Sequence, residues 1–137
     1  MIIKGNIHSD SRGIVRFVND FDFDGVKRFY AITHPDTKII RAWQGHKLET
    51  KYFYVAAGAF RISWVKIDIW EQPSRDLEIH NKELNDSESE ILVIGPGHAT
   101  AIKALMPDST LVIFSDKSLE ESKADDYRFG TNYWKAG

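Results

Sequence analysis

Apolar residues in this chain alternate with polar ones or gather in short blocks, and Gly, Pro, Asn and Asp punctuate them. That rhythm predicts strands rather than helices. The blocks place strands at Ile2 to Ile7, Ile14 to Phe17, Lys27 to Ile32, Ile39 to Gly45, Lys51 to Ala57, Ala59 to Ile69, Leu77 to Leu84, Ile91 to Ile94, Thr100 to Ala104 and Thr110 to Ser115. Turn chemistry separates them at Ser11-Arg12-Gly13, His34-Pro35-Asp36, Ala57-Gly58-Ala59, Gly95-Pro96-Gly97 and Met106-Pro107-Asp108-Ser109. The stretch from Phe60 to Ile69 puts Arg61, Ser63, Val65, Ile67 and Ile69 on one face and Phe60, Ile62, Trp64, Lys66 and Asp68 on the other. Both faces are mixed, so the pattern leaves open which is buried. One short, charged helix is expected over Leu119 to Asp126, and the acidic run from Asn85 to Glu90 reads as a solvated hairpin connection. Many short strands without an internal repeat predict an all-β sandwich or jelly-roll barrel.

Composition narrows the chemistry. The 137 residues suit a single domain over 1–137 with one pocket. The net charge is −2 and charges of both signs are interspersed, so no long-range attraction to nucleic acid or to an anionic membrane is built in. The chain has no cysteine, which excludes thiol catalysis, thiolate metal sites and a disulfide framework. It opens directly into strand-like sequence without an apolar signal core, and no apolar run reaches membrane-spanning length. Cytoplasmic residence is the expectation.

The most informative segment runs from Arg41 to Gly58, where the frame Gln44-x-His46-x(4)-Lys51-x(6)-Gly58 keeps a known spacing. It resembles the metal-binding cupin pattern His-x-His-x(3,4)-Glu-x(6)-Gly with the ligands exchanged. An amide is a poor ligand, and the ammonium of Lys51 would repel a divalent cation that imidazoles and a carboxylate would hold. Gly95-Pro96-Gly97-His98-Ala99-Thr100-Ala101-Ile102 is similar to the second cupin segment, with Thr100 where a histidine would sit. No metal and no other cofactor is therefore expected.

Further matches resemble the dTDP-4-dehydrorhamnose 3,5-epimerases and the related dTDP-sugar 3,4-ketoisomerases along nearly the whole chain. They are the turn Asp10-Ser11-Arg12-Gly13, the aromatic Phe29, the element Arg41-Ala42-Trp43-Gln44, Lys51, and the closing segment from Asp125 to Trp134. The resemblance implies a cupin jelly-roll barrel with a short C-terminal helical piece, acting on or binding a dTDP-keto-deoxy sugar in surface-polysaccharide synthesis. It also implies a homodimer that exchanges an edge segment, with Met1 to Phe17 as the candidate. In the family an arginine at the position of Arg41 grips diphosphate and a histidine at the position of Gln44 is the base. An amide has no usable basicity, so that mechanism cannot pass through Gln44. The family's proton-donating tyrosine falls near Phe114, which has no proton to give.

Strand parity puts Gln44, His46 and Ala42 on one face. If that face is the barrel interior, His46 is the acid/base candidate; otherwise it is a structural, hydrogen-bonded histidine. Lys51 either stabilises an enolate or a phosphate or joins a sheet ion pair. Arg41 has parity opposite to Gln44, so it reaches a ligand only from a strand end or a neighbouring subunit, or else lies on the surface. Arg12, Trp43 and His98 complete the candidate substrate-binding set, His98 at a barrel rim, where solvated histidines are also common. A non-catalytic cupin that binds a ligand or serves in assembly is the rival reading.

Overall fold

The computed structural model describes residues 1–136. In chain order the elements are β1 (Ile2–Lys4), β2 (Asn6–Asp10), β3 (Gly13–Phe17), β4 (Arg28–His34), β5 (Ile40–His46), β6 (Lys51–Ala57), β7 (Ala59–Lys66), β8 (His80–Asn85), β9 (Glu90–Ile94), β10 (His98–Ala104), β11 (Ser109–Ser115), α1 (Leu119–Ala124) and β12 (Tyr127–Arg128). Two five-stranded antiparallel sheets face one another, in the orders β1-β9-β6-β11-β4 and β12-β5-β10-β7-β8. From β4 to β7 the chain changes sheet at every step, and it alternates again from β8 to β11. That is the winding of a jelly roll.

Period-two burial shows why these segments are strands. In β6 and β11 every second residue is buried, so Phe53, Val55, Leu111 and Ile113 point inward while Tyr54 and Val112 face out. They meet Phe60, Ile62 and Ile102 from the opposite sheet in the main core. Strand β7 settles the question its sequence left open, because both of its faces are covered. Phe60 and Ile62 face the main core, while Val65 and Ile67 join Trp43, Ala99, Ala101 and Trp134 in a second core on the outer side of the sheet. The C-terminal residues form the lid of that second core. The Trp134 indole donates to the Ser74 carbonyl (2.9 Å), and the Trp43 indole donates to the Trp134 carbonyl (2.8 Å).

Several boundaries depart from the sequence expectation, β7 ending at Lys66 and β8 beginning at His80 among them. The segment from Ile2 to Ile7 is two strands in different sheets, broken at Gly5, where an added Cβ would lie 1.9 Å from the Phe17 carbonyl oxygen. Asn85 to Glu90 is a crossing between sheets, not a hairpin, and Glu90 is buried where Lys82 reaches it at 3.3 Å. Helix α1 begins with a capping box between Ser118 and Glu121 and stops at Ala124. It stops there because the Asp125 carboxylate turns back to accept the backbone N–H groups of Lys47, Leu48 and Glu49 at 2.7–3.0 Å.

Candidate active site

A cavity of about 450 Å³ lies between the two sheets. Its walls carry Arg28 and Tyr30 from β4, Arg41 and Gln44 from β5, Lys51 and Phe53 from β6, Thr100 and Ile102 from β10, and Arg128 from β12. Arg41 and Gln44 share this wall despite their odd spacing. Thr100 pairs with Gln44 and Ile102 with Arg41, so Ala42 and Trp43 together oppose the single residue Ala101. This β-bulge shifts the parity by one and brings Arg41 onto the same wall as Gln44. Arg41 is the second residue of β5 and is exposed, so it borders the cavity from the end of that strand.

At one end of the cavity the polar groups form a chain. Lys51 Nζ donates to Gln44 Oε1 (2.9 Å), Gln44 Nε2 donates to Asp126 Oδ1 (3.2 Å), and Arg128 Nε donates to the same oxygen (2.7 Å). Arg28 donates to Ser122 Oγ (2.9 Å) and lies over the Tyr30 ring at 5.0 Å. Ser122 in turn donates to Glu49 Oε1 (2.6 Å). Toward the other end, Arg41 Nε donates to His34 Nε2 (3.1 Å), and His34 is buried. His34, which the sequence places at a turn, is the anchor of Arg41.

The electrostatics follow from burial. Lys51 is only 4% exposed and has no carboxylate within ion-pair distance among the described residues. Desolvation lowers its pKa to about 8; Glu49 opposes the shift, while Arg28 and Arg128 add to it. Tyr30 is pushed up to about 12, first by burial and then by the charge of Glu49. Burial, and then Arg41, lowers the pKa of His34.

The other candidates lie elsewhere. His46 is buried but does not line the cavity: its Nδ1–H donates to the Asp125 carbonyl (2.5 Å), its ring lies 3.8 Å from Glu49, and Nε2 has no partner. Burial and the charge of Lys51 lower its pKa, which favours the neutral ring. His46 thus stands behind the wall, held by the Asp125 carbonyl. Trp43 borders the cavity only along its strand, because the bulge turns its indole to the second core, edge-on to Trp134 at 5.3 Å. His98 donates to the Gly95 carbonyl (2.9 Å) beside the Gly97 turn and is not on the cavity wall. Arg12, at the tip of the β2–β3 hairpin, is 87% exposed in its side chain and paired with Asp10 at 2.7 Å. Phe114 packs outside the barrel against Phe21, Phe23 and Phe29, so the cavity's phenol is Tyr30.

Sequence reasoning missed Arg28, Tyr30 and Arg128. The first two were readable from their shared parity in Lys27-Arg28-Phe29-Tyr30. Arg128 belongs to a strand of two residues, too short for any periodicity. Among the described residues no three His, Asp or Glu side chains converge as metal ligands would.

No family model matches the chain. No curated protein matches it either. Solved structures do. The sugar 3,4-ketoisomerase QdtA from Thermoanaerobacterium thermosaccharolyticum, in complex with TDP, is 27% identical over 97% of this chain and 90% of its own, with a TM-score of 0.72. A mutant of the same enzyme in complex with TDP-4-keto-6-deoxyglucose is 26% identical over 97% of this chain and 89% of its own, also at 0.72. The RmlC epimerase of Mycobacterium tuberculosis is 18% identical over 93% of this chain and 67% of its own, with a TM-score of 0.74. In sequence frame and in fold, this chain is a cupin jelly roll that resembles the dTDP-sugar 3,4-ketoisomerases and 3,5-epimerases.

Proposed function

We propose that the chain binds a dTDP-linked keto-deoxy sugar in the cavity between its sheets and transfers a proton beside the keto group, in surface-polysaccharide synthesis. One observation carries the reading: the wall holds Arg28, Arg41 and Lys51, together with Arg128, which is paired with Asp126 just behind the wall, and no carboxylate lines it. Such a surface fits the two negative charges of a diphosphate, which guanidinium groups grip in bidentate fashion. The TDP and TDP-sugar complexes of the similar ketoisomerase support the same ligand class. Of Lys51 and Tyr30 on the wall, lowered to about 8 and pushed up to about 12, Lys51 lies nearer neutrality, so it replaces His46 as the acid/base candidate.

Calorimetric titration with dTDP and dTDP-glucose tests the binding. Arg41→Ala is expected to weaken affinity by roughly 10- to 100-fold, the loss of one charge-assisted hydrogen-bonding partner, and Lys51→Ala also weakens it. Unchanged affinity in both variants would remove the cavity from consideration. Activity of the ordinary 3,5-epimerase kind on a dTDP-4-keto-6-deoxy sugar is expected to be absent or very weak, because Gln44 supplies no base. Rapid solvent deuterium incorporation at both carbons 3 and 5, followed by NMR, would contradict that. The second reading, a non-catalytic ligand-binding or assembly module, is favoured by the displacement of His46 from the wall. Sugar-nucleotide binding with no deuterium incorporation at any carbon is its signature.

A further inference from the structure

Lys51 is an unusual lysine even for a binding site. Its amine is buried, lines the cavity, and has as its hydrogen-bond partner the neutral amide oxygen of Gln44 at 2.9 Å. A lysine kept only as a phosphate counter-charge needs no such isolation, and Arg28, Arg41 and Arg128 already supply positive charge to the same wall. Gln44 is itself fixed through Asp126, which Arg128 holds in turn, so the amide oxygen positions the amine without neutralising it. A desolvated amine beside other cations is the environment in which lysine becomes a carbonyl nucleophile.

We infer that Lys51 forms a reversible imine with the keto carbon of the bound sugar nucleotide. The inference rests on the keto-sugar reading of the cavity; while the imine stands, the Lys51 nitrogen serves as electron sink for the neighbouring carbanion in place of its role as free base. The unprotonated Nζ attacks the keto carbon, the carbonyl oxygen takes up one of the amine's protons to give a carbinolamine, and that oxygen leaves as water with the amine's second proton, so that the nitrogen lone pair completes the carbon–nitrogen double bond. No oxidant or reductant is consumed. The Gln44 oxygen accepts the N–H of the attacking amine and keeps its lone pair directed away from the amide. With a pKa of about 8, Lys51 holds roughly a hundredfold more free amine at pH 8 than an exposed lysine does.

The test is reductive trapping. The full chain is incubated at pH 8 with dTDP-4-keto-6-deoxyglucose and sodium cyanoborohydride, then weighed intact and mapped by peptide mass. The expected product is one adduct per chain on Lys51, heavier by the sugar nucleotide less one oxygen atom. It is not expected with dTDP-glucose, which has no ketone. Lys51→Arg keeps the positive charge and is expected to give no adduct at position 51; circular dichroism confirms that this variant is folded. Adducts spread evenly over surface lysines would overturn the inference. So would tight calorimetric binding of the keto sugar with no adduct, which leaves the binding reading intact. Absence of binding would overturn both.

Discussion

One buried amine makes stability depend on pH in the alkaline range. In the folded chain Lys51 titrates near pH 8, against 10.5 for the free side chain. Between those values the unfolded chain binds the extra proton, so stability rises as pH rises from about 8 to 10.5. Below pH 8 both states are protonated and the fold carries the whole cost of burying the charge. Lys51→Met is therefore expected to stabilise the protein at pH 7 by on the order of 1–3 kcal/mol and to remove the gain between pH 8 and 10. Urea denaturation of both forms at the two pH values measures it, and a variant less stable than the parent at pH 7 would refute the burial argument. Tyr30 titrates in the opposite sense from pH 10 upward, which is why the comparison stops there. At this scale Gln44, Arg41 and Lys51 were legible because their motif spacing is local. The orientation of Trp43 was not, because a bulge opposite Ala101 changes parity without any mark in the sequence. The displacement of His46 was not legible either, since its anchor is the distant Asp125.

Elements are held by a few positions that tolerate little change. Gly58 joins β6 to β7 at φ +76°, and a Cβ there would lie 2.1 Å from Ser109 Oγ. That oxygen accepts the Ala59 N–H (3.1 Å) and donates to the Met106 carbonyl (2.7 Å), so moving it disturbs two turns. Gly58→Ala should cost about 1–3 kcal/mol through backbone strain alone, read as a lowered urea midpoint with unchanged slope. Trp134 fills the second core at 2% exposure, and Trp134→Ala should cost about 3–5 kcal/mol. A loss below about 1 kcal/mol would mean that the C-terminal lid is dispensable. Strands such as β6 and β11 were legible because alternation and bounding turns agree. The end of α1 and the existence of β12 were not. Asp125 terminates the helix by capping residues far away in sequence, and β12 is defined only by its pairing with Gly45 and Gln44.

For the whole molecule, the conspicuous feature is apolar surface left without a partner. Phe23 and Phe29 are more than 60% exposed, Phe29 on the edge strand β4, and the β2–β3 hairpin displays Ile14 and Val15 at 67% and 59%. Patches of this kind on an open sheet edge mark association surfaces. A homodimer is expected in sedimentation at micromolar concentration, and a monomer there would contradict it. The exchanged segment proposed for the dimer is Met1 to Phe17, which includes the hairpin displaying Ile14 and Val15. The purified protein is also expected to hold no stoichiometric transition metal. One tightly bound zinc, iron or nickel per chain, lost on His46→Ala, would refute that expectation.

The cationic cavity sits in a chain whose net charge is −2, and the contrast has a kinetic consequence. A dianionic ligand approaching from beyond a Debye length, about 8 Å at physiological salt, meets a weak and slightly repulsive field, so it is captured on arrival rather than steered from afar. Added salt should then leave the association rate nearly unchanged while shortening the ligand's residence time. In stopped-flow measurements the salt dependence of affinity would be carried by the dissociation rate.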